Sequence, residues 1–411
     1  MFTECGYLFY KLYCRVFQFI MKCAAKTLPW RKPELIEGVG CVTELSGYIK
    51  KSGIKSVLLV TVQGTMKRKS ADSLLEALEK EGIVVTIYDR TVPNPTIGNV
   101  EEALALYKEN NCEGIIAFGG GSPIDCAKCV GARVAKPHKS IQQLRGYLKV
   151  RTEIPPLYAI PTTAGTGSEA TVAAVIDDEA TREKYSVSDL SLIPRVAVLD
   201  PQLTVSLPKN FTAATGMDAL THAVESYIGR SNTNETREMS IKAVKLIFEN
   251  IYMAYTDGTN ITARRNMQLA AYFAGIAFTR AYVGNVHAVA HTLGGLYNTP
   301  HGYACAVVMP HVLESYGKHV YKPLAELADT VNLPGDTTQQ KANAFIKAIC
   351  DLNSRMEIPE TVDFIIESDI PIMIDRAYHE ANPMYPVPRI FSRKDFKTVI
   401  NKLMSTNSKL L

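Results

Sequence analysis

The chain contains 411 residues, 46% apolar and 21% charged, which is the composition of a globular protein long enough for two domains. Its 45 basic and 41 acidic side chains leave a formal charge of +4, too small to indicate a nucleic-acid partner. The nine cysteines are an odd number scattered along the chain, and Cys112, Cys305 and Cys350 lie in apolar runs. We therefore expect reduced thiols, no disulfide framework and a cytoplasmic location.

Residues 1–32 form an N-terminal extension that we expect to be helical. Its stretch from Tyr7 to Met21 is apolar and aromatic, but Lys11 and Arg15 interrupt it and no small-residue cleavage site follows, so a signal peptide is not predicted. A bilayer span of about 20 uninterrupted apolar residues is also missing. We expect the helix to pack on its own chain or on a partner subunit, as in a homodimer. A helix on a membrane surface is the weaker alternative.

Residues 33–208 are predicted to form an α/β domain with a Rossmann-like parallel sheet. Short β-branched runs alternate with amphipathic stretches, the pattern of strands linked by crossover helices. The predicted strands are 57–62, 84–88, 114–118, 157–160 and 196–199, and the predicted helices include 70–80 and 100–109. After Pro208 the sequence changes to long alanine- and leucine-rich stretches with helical periodicity. Residues 209–411 are therefore predicted to form an all-helical domain.

Two turns rich in small residues follow predicted strands. The first contains Gly119, Gly120, Gly121 and Ser122 and leads into a helix, where glycines let backbone N–H groups approach a phosphate. The second spans residues 161–169. Because ligands of open α/β sheets bind beyond the carboxyl ends of strands, both turns are expected to meet at one dinucleotide. Neither turn matches the G-x-G-x-x-G fingerprint, and a tight turn without a ligand is the alternative for the glycine triplet alone.

Histidines and an aspartate cluster in the helical half. Asp218 and His222 are four residues apart, as are His287 and His291, so the members of each pair share a helical face. His301 follows in a turn. Imidazole and carboxylate groups suit Fe(II) or Zn(II), and three nitrogens with one oxygen leave a position open for substrate. The spacing does not decide between His287 and His291. For any one of these histidines, an ordinary core position is the alternative.

Four motifs together resemble the signature blocks of the iron-containing, or group III, alcohol dehydrogenase family. They are GGGSPIDCAK (119–128), PTTAGTGSE (161–169), GMDALTHAVE (216–225) and HAVAHTLGGLYNTPHG (287–302). They occur in the family's order, and the resemblance extends over residues 33–400. It implies a dinucleotide-binding α/β domain followed by an all-helical metal-binding domain. The implied activity is NAD(P)(H)-linked interconversion of a metal-bound primary alcohol and its aldehyde.

The resemblance also implies roles for individual residues. It makes Asp218, His222, His287 and His301 the metal ligands, and it leaves His291 nearby, where we expect this side chain to relay the hydroxyl proton. It places Gly119, Gly120, Gly121, Ser122 and Asp125 at the pyrophosphate and nicotinamide, and Thr162, Thr163, Thr166 and Ser168 along the cofactor. Lys184 matches a family lysine near the nicotinamide ribose, and Asn94 matches a turn at the edge of the cofactor cleft.

One departure from the family bears on the choice of cofactor. Many members carry an acidic residue after the strand that corresponds to VLLVT, where it bonds the adenosine ribose, whereas this chain has Val62, Gln63 and Gly64. The missing carboxylate removes repulsion against a 2′-phosphate, and Lys67, Arg68 and Lys69 lie just beyond. We therefore predict a preference for NADP(H) over NAD(H). The alternative is that these basic residues are merely solvated.

Two other functions compete with this interpretation. A lyase or polyol phosphate dehydrogenase on the same dehydroquinate synthase-like fold would need a basic cluster for its phosphate. The segments around the histidines offer little more than Arg230 and Arg280. A protein that kept the metal only as a structural staple, and acted through its N-terminal helix, would not need intact cofactor turns. A metal-dependent alcohol dehydrogenase or aldehyde reductase therefore ranks first.

Overall fold

The computed structural model describes residues 4–181 and 183–404. The strands are β1 (Glu34–Glu37), β2 (Ser56–Val60), β3 (Val84–Tyr88), β4 (Gly114–Gly119), β5 (Gly146–Tyr147), β6 (Leu157–Pro161), β7 (Ala173–Asp178), β8 (Glu183–Ser188) and β9 (Val196–Leu199). The first ten helices are α1 (Glu4–Lys26), α2 (Glu44–Lys51), α3 (Gln63–Lys67), α4 (Asp72–Lys80), α5 (Ile97–Glu109), α6 (Gly121–Ala135), α7 (Ile141–Leu144), α8 (Lys209–Ile228), α9 (Asn234–Thr256) and α10 (Ile261–Ala281). They are followed by α11 (Asn285–Tyr297), α12 (His301–Tyr316), α13 (Tyr321–Thr330), α14 (Thr338–Arg355), α15 (Ile370–Ala381) and α16 (Arg393–Leu403).

Six strands form a parallel sheet in the order β1-β9-β6-β4-β2-β3. Successive residues of its strands enter two different cores: Leu58 and Ile115 belong to one, whereas Leu59 and Ile116 belong to the other. Strands β4 and β6 are buried along their whole length, which explains why their sequences are continuous apolar runs. The predicted parallel α/β sheet is confirmed, with all five predicted strands in it.

The structure also contains strands that the sequence analysis did not predict. Strand β1 pairs in parallel with β9 at one edge of the main sheet. Strands β7 and β8 form an antiparallel ribbon, to which the two-residue strand β5 adds. Strand β7 begins four residues after the second small-residue turn ends. The pairing of β7 with β8 therefore helps to hold the end of that turn in place.

The chain divides into two compact units. The helical unit comprises the described parts of Met1–Leu28, Pro208–Asp257 and Ile276–Leu411, and the α/β unit comprises Pro29–Leu207 and Gly258–Gly275. The division at Pro208 coincides with the change in sequence character. The N-terminal extension, which we expected to form a segment of its own, groups with the helical unit.

The segment Gly258–Gly275 was expected in the helical domain but packs with the α/β unit. The Tyr272 hydroxyl donates a hydrogen bond to the carbonyl of Pro33 at 3.0 Å. The Gln268 amide donates to the carbonyls of Pro161 and Asp200 at 3.2 Å. These contacts join residues that are far apart in the chain, so helical periodicity alone does not indicate them.

Helix α8 is the central element of the helical unit. All of its residues from 216 to 228 are buried, and α9 and α12 pack against it. A helix that is surrounded on all sides presents its polar residues to the protein interior, where each needs a partner. This placement buries the Asp218 and His222 pair completely.

Helix α1 packs on the helical unit through polar contacts. The Arg15 guanidinium donates to the carbonyls of Val387 and Pro388 at 2.7 and 3.0 Å. The Gln18 amide donates to the carbonyls of Pro383 and Tyr385 at 3.0 and 2.8 Å. Among the helices that the structure describes, none is both long and apolar enough to cross a bilayer. The eight cysteines with described side chains are all free thiols.

Candidate metal centre and cofactor turns

Three histidines converge on one aspartate in the helical unit. Asp218 and His222 lie on α8, His287 lies on α11, and His301 begins α12. The Nε2 atoms of these histidines are 3.9, 4.0 and 3.4 Å, respectively, from Asp218 Oδ1. Donor atoms that bind one divalent ion at bond lengths of about 2.0–2.2 Å lie roughly 3–4 Å apart. Each of the three histidines is therefore close enough to Asp218 to share one ion with it. The donor atoms of Asp218, His287 and His301 also lie within 4.8 Å of one another, a group that does not include His222.

The buried atoms at this point of convergence fit a cation. Within the part of the chain that the structure describes, Asp218 Oδ1 and His287 Nε2 are shielded from water and have no hydrogen-bond partner. Burial raises the pKa of the Asp218 carboxyl, against the opposing effect of His222. Burial also lowers the pKa of His287 well below its usual value, which keeps the imidazole neutral and its lone pair available. Unpartnered buried polar atoms are costly, and a bound divalent ion would satisfy both of them.

Glu225 orients His287 by contacting Nδ1, the ring nitrogen on the side away from Asp218. Its carboxylate accepts a hydrogen bond from the backbone N–H of Gly284 at 2.8 Å and from that of Val286 at 2.7 Å. Its Oε2 atom is 2.6 Å from His287 Nδ1. With the proton on Nδ1, the Nε2 lone pair of His287 faces Asp218, the arrangement found behind many metal-bound histidines. Glu225 was not predicted from the sequence, although it follows Asp218 by seven residues on the same face of α8.

We expect Glu225→Gln to lower the affinity for Zn(II) or Fe(II) by about 10- to 100-fold. Glutamine keeps the size of the side chain but has one oxygen, so it cannot accept all three hydrogen bonds. His287 then loses the acceptor that fixes its tautomer. Competition with a chelator measures the affinity. Glu314→Gln changes an exposed partner of Lys402 and serves as the control; equal affinities in both variants would contradict this role.

His291 lies beside the cluster. Its ring stacks on that of His301 with a centroid distance of 5.1 Å, and its side chain is 42% exposed. Its Nδ1 atom is 2.6 Å from Glu380 Oε1, which also accepts a hydrogen bond from the Tyr385 hydroxyl at 2.8 Å. Glu380 was not predicted from the sequence, because it is 89 residues from His291 and is brought there by the packing of α15 on α11.

Cys305 lies in the same cluster. It follows His301 by one turn of α12, is fully buried, and has its Sγ 3.8 Å from His301 Nε2. The donor atoms of Asp218, His287, His301 and Cys305 all lie within 4.8 Å of one another. Cys305 was predicted only as a buried thiol, although it follows His301 by four residues, the same spacing as in the Asp218/His222 and His287/His291 pairs.

In the α/β unit, the two small-residue turns are neighbours because β4 and β6 are adjacent strands. The Thr162 N–H donates to the carbonyl of Gly119 at 2.9 Å. A Cβ on Gly121 would lie 3.0 Å from Thr166 Cγ2, so glycine lets the turns pack closely. The start of α6 also lies here, and its dipole favours an anion. Gly120, Thr162 and Thr163 are partly exposed at these turns.

Asn94, Ser122 and Lys184 come together at the same end of the sheet. The backbone N–H of Asn94 donates to Ser122 Oγ at 3.2 Å, and Lys184 Nζ donates to Asn94 Oδ1 at 2.8 Å. Asn94 has a φ of +57°, a left-handed conformation that asparagine tolerates better than most residues. Lys184 is 90 residues from Asn94, so the fold unites predicted cofactor residues from distant motifs.

Asp125 and Ser168 bind each other. The Ser168 hydroxyl donates to Asp125 Oδ1 at 2.5 Å, and the N–H of Val175 donates to Oδ2 at 3.0 Å. Lys128, which the sequence analysis missed, is fully buried and donates to the carbonyl and hydroxyl of Thr171 at 2.8 and 2.9 Å. Burial lowers the pKa of Lys128 to about 8, against the opposing charge of Asp125. These buried hydrogen bonds stabilise the conformation of the second small-residue turn and of the residues that follow it.

An open parallel sheet with small-residue turns, joined in one chain to a helical unit with a three-histidine, one-aspartate centre, defines a metal-dependent dehydrogenase that uses a dinucleotide. Comparison with protein families supports this class. The family described as iron-containing alcohol dehydrogenase matches residues 33–201, and the C-terminal part of the Fe-containing alcohol dehydrogenase family matches residues 212–404. The chain belongs to the iron-containing alcohol dehydrogenase family.

Individual relatives of the chain support the same family assignment. Alcohol dehydrogenase 4 of Schizosaccharomyces pombe is 38% identical over 355 residues, which are 85% of this chain and 83% of that protein. The NAD-dependent methanol dehydrogenase of Bacillus methanolicus is 34% identical over 376 residues, 90% of this chain and 98% of that protein. The crystal structure of a 1,3-propanediol oxidoreductase is 34% identical with a TM-score of 0.88, covering 92% of this chain and 100% of that one.

These findings confirm the predicted family, fold class and enzyme class. The chain is a metal-dependent oxidoreductase of the alcohol dehydrogenase type that works with a nicotinamide cofactor. They support this function over the lyase and polyol phosphate dehydrogenase alternatives that share the fold.

Proposed function

We propose that the chain interconverts a primary alcohol and its aldehyde with a single Fe(II) or Zn(II) ion bound by Asp218, His222, His287 and His301. The convergence of three imidazole nitrogens on a buried, unpartnered carboxylate oxygen carries this proposal. When bound, the ion supplies Lewis-acid polarisation of the substrate oxygen. The nicotinamide supplies the hydride chemistry. The surrounding side chains offset the charge of the ion and hold or transfer protons.

The protein's own residues have distinct tasks in this proposal. Asp218 supplies the single carboxylate of the ligand set and thereby offsets part of the charge of the ion. Glu225 holds the proton of His287 on Nδ1, so that Nε2 stays a lone-pair donor. His291 takes the hydroxyl proton of the alcohol and passes it outward, since its ring is partly exposed and contacts Glu380.

We predict that His291→Ala lowers kcat by about 10²-fold, as for the loss of a general acid–base group. The variant should also lose the limb of the kcat pH profile that reports the proton relay. Steady-state rates at a series of pH values measure both effects. His379→Ala, at an exposed histidine that contacts Asp375, is the control. Full turnover with an unchanged pH profile in His291→Ala would show that His291 relays no proton.

We further propose that residues 33–208 bind the nicotinamide cofactor and that residues 209–411 bind the metal. The adjacent turns at β4 and β6 and the start of α6 support the first part. The cofactor contacts are assigned to Gly119, Gly120, Gly121, Ser122, Asp125, Thr162, Thr163, Thr166, Ser168, Lys184 and Asn94. Asp125 and Ser168 would act mainly by supporting the turn, because they already bind each other.

NADP(H) is the proposed form of the cofactor. Arg68 Nη1 lies 3.0 Å from the position that a Cβ would occupy on Gly64, so the guanidinium folds back over the turn that follows β2. In many family members this turn bonds the adenosine ribose. A guanidinium there suits a 2′-phosphate, whereas a carboxylate would repel it.

We predict that Arg68→Glu lowers the ratio of kcat/KM for NADPH to that for NADH by at least about tenfold, or roughly 1.4 kcal/mol. The introduced carboxylate repels the 2′-phosphate but leaves NADH unaffected. Lys51→Glu, at an exposed position of α2, controls for the change in net charge. Because one relative is named as NAD-dependent, both cofactors are measured on the parent enzyme. A tenfold preference of the parent for NADH would overturn the proposal.

Turnover of a short aliphatic aldehyde with NADPH or NADH tests the proposed activity as a whole. We expect consumption of the cofactor to stop after treatment with a chelator and to return with added Fe(II) or Zn(II). Turnover that persists in protein shown to be metal-free would refute the proposal. Metal analysis of anaerobically purified protein identifies the resident ion.

We also propose that the enzyme is a cytoplasmic homodimer. Helix α1 exposes a stripe of apolar residues, namely Leu8, Phe9, Leu12, Tyr13, Val16, Phe19 and Ile20. Large exposed apolar patches mark interaction surfaces, and a second copy of the chain would remove this stripe from water. Leu12→Asp combined with Phe19→Asp is expected to halve the mass measured by light scattering. A monomeric parent that sediments with anionic vesicles would instead identify a lipid surface.

A further inference from the structure

Cys305 shares the metal centre with the four expected ligands. Its side chain is fully buried and follows His301 by one helical turn, so both side chains leave α12 on the same face. Its Sγ is 3.8 Å from His301 Nε2. The sulfur and the donor atoms of Asp218, His287 and His301 lie within 4.8 Å of one another. Donors on opposite sides of one ion, with bonds of about 2.0–2.3 Å, are roughly 4.0–4.6 Å apart.

An independent observation shows that a ligand belongs at this point. Within the described residues, Asp218 Oδ1 and His287 Nε2 are buried, lie 4.0 Å apart and have no hydrogen-bond partner. An ion bound by Asp218 and His287 would satisfy both atoms whether or not the sulfur also binds it. The two atoms therefore indicate an ion here independently of Cys305. The sulfur lies within 4.8 Å of both atoms and 3.8 Å from His301 Nε2, close enough to reach an ion that they share. Without an ion, the thiol is a hydrogen-bond partner of His301 and Asp218, the two groups beside which a ligand of the ion would lie.

We propose that Cys305 Sγ is a ligand of the same metal ion, a soft donor added to the aspartate and histidine set. This inference rests on the metal centre of the proposed function and extends it. When the ion binds, the thiol gives its proton to water and a sulfur–metal bond forms, with no change in oxidation state. Thiolate ligands favour Zn(II) over ions that prefer oxygen and nitrogen donors. Cys305 thereby shifts the preference of the site toward Zn(II).

Absorption spectroscopy of the full chain loaded with Co(II) tests this ligand directly. A sulfur–Co(II) bond gives an intense charge-transfer band in the near ultraviolet, which nitrogen and oxygen ligands do not give. We expect the band in the parent protein and in Cys350→Ser, at a partly buried cysteine of α14 outside the cluster. We expect its loss in Cys305→Ser and Cys305→Ala, which should still bind one Co(II) per chain through the remaining ligands.

A second measurement follows the preference for the metal. Cys305→Ser is expected to bind Zn(II) about tenfold more weakly in chelator competition, with a smaller change for Fe(II). Thermal melting of the metal-free variants shows whether each is folded. If a Cys305 variant does not fold, the spectrum of the parent protein still decides, because it needs no substitution at that position.

The possible outcomes separate this inference from the proposed function. Parent protein that binds one Co(II) per chain without a charge-transfer band would overturn the role of Cys305 and leave the metal centre intact. A band that persists in Cys305→Ala would also overturn it. Parent protein that binds no Co(II), Zn(II) or Fe(II) would refute the metal centre itself.

Discussion

Asp218→Asn is expected to abolish metal-dependent turnover. The substitution keeps the size of the side chain but removes the carboxylate on which His222, His287 and His301 converge. An amide oxygen is a weaker donor to a divalent ion and offsets none of its charge. We expect less than one tenth of an ion per chain at limiting metal, and a fall in kcat/KM of about 10³-fold or more, equivalent to ~4 kcal/mol.

Stability measurements distinguish loss of the metal from loss of the fold. In the metal-free parent, burial raises the pKa of the Asp218 carboxyl, which means that the ionised group is costly there. The neutral amide does not carry that cost, so metal-free Asp218→Asn should melt no lower than the metal-free parent. Only the parent should melt at a higher temperature when Zn(II) is added. A variant that kept one ion per chain and half of the parental activity would show that Asp218 is not a ligand.

The α/β sheet could be predicted because its central strands are buried on both faces. Burial on both faces produces the uninterrupted apolar runs of β2, β4 and β6. The missed strands lack this signal: β1 is short and partly exposed, and β7 alternates between buried and exposed residues. Strand β5 contains only two residues. The allocation of Gly258–Gly275 to the α/β unit depends on long-range contacts such as that of Tyr272 with Pro33.

The candidate metal centre could be predicted from sequence because two pairs of metal-binding residue types repeat one spacing. Residues four apart on a helix share a face, so Asp218 with His222 and His287 with His291 were recognised as pairs. Spacing alone could not choose between His287 and His291, since that depends on how α11 is rotated against its neighbours. In the structure His287 faces Asp218, whereas His291 faces Glu380. Glu225 and Cys305 lie two and one helical turns after Asp218 and His301, but the prediction rested on histidines and a single aspartate and did not include a glutamate or a cysteine.

The metal centre also depends on how closely α8 and α12 approach each other, which Gly302 makes possible. A Cβ added to Gly302 would lie 2.2 Å from the carbonyl oxygen of Ala214 and 3.2 Å from Asp218 Cβ. A backbone oxygen of a buried helix cannot move aside as a flexible side chain can. Alanine at this position therefore forces the two helices apart. His301, the preceding residue, would move away from Asp218 with α12.

Gly302→Ala is expected to lower the free energy of unfolding by about 3 kcal/mol, at the upper end of overpacking effects. It should also weaken metal binding more than tenfold, because the His301 to Asp218 spacing of 3.4 Å would increase. Gly295→Ala on α11 is the matched control: its Cβ would meet only Arg376 Nη1 at 3.6 Å, an ordinary contact. Alanine is favoured over glycine inside a helix, so the control should be as stable as the parent or more stable. Equal denaturant midpoints in the two variants would show that α8 and α12 can separate without loss of stability. Equal metal affinities would show that the metal centre does not depend on the close approach of these helices.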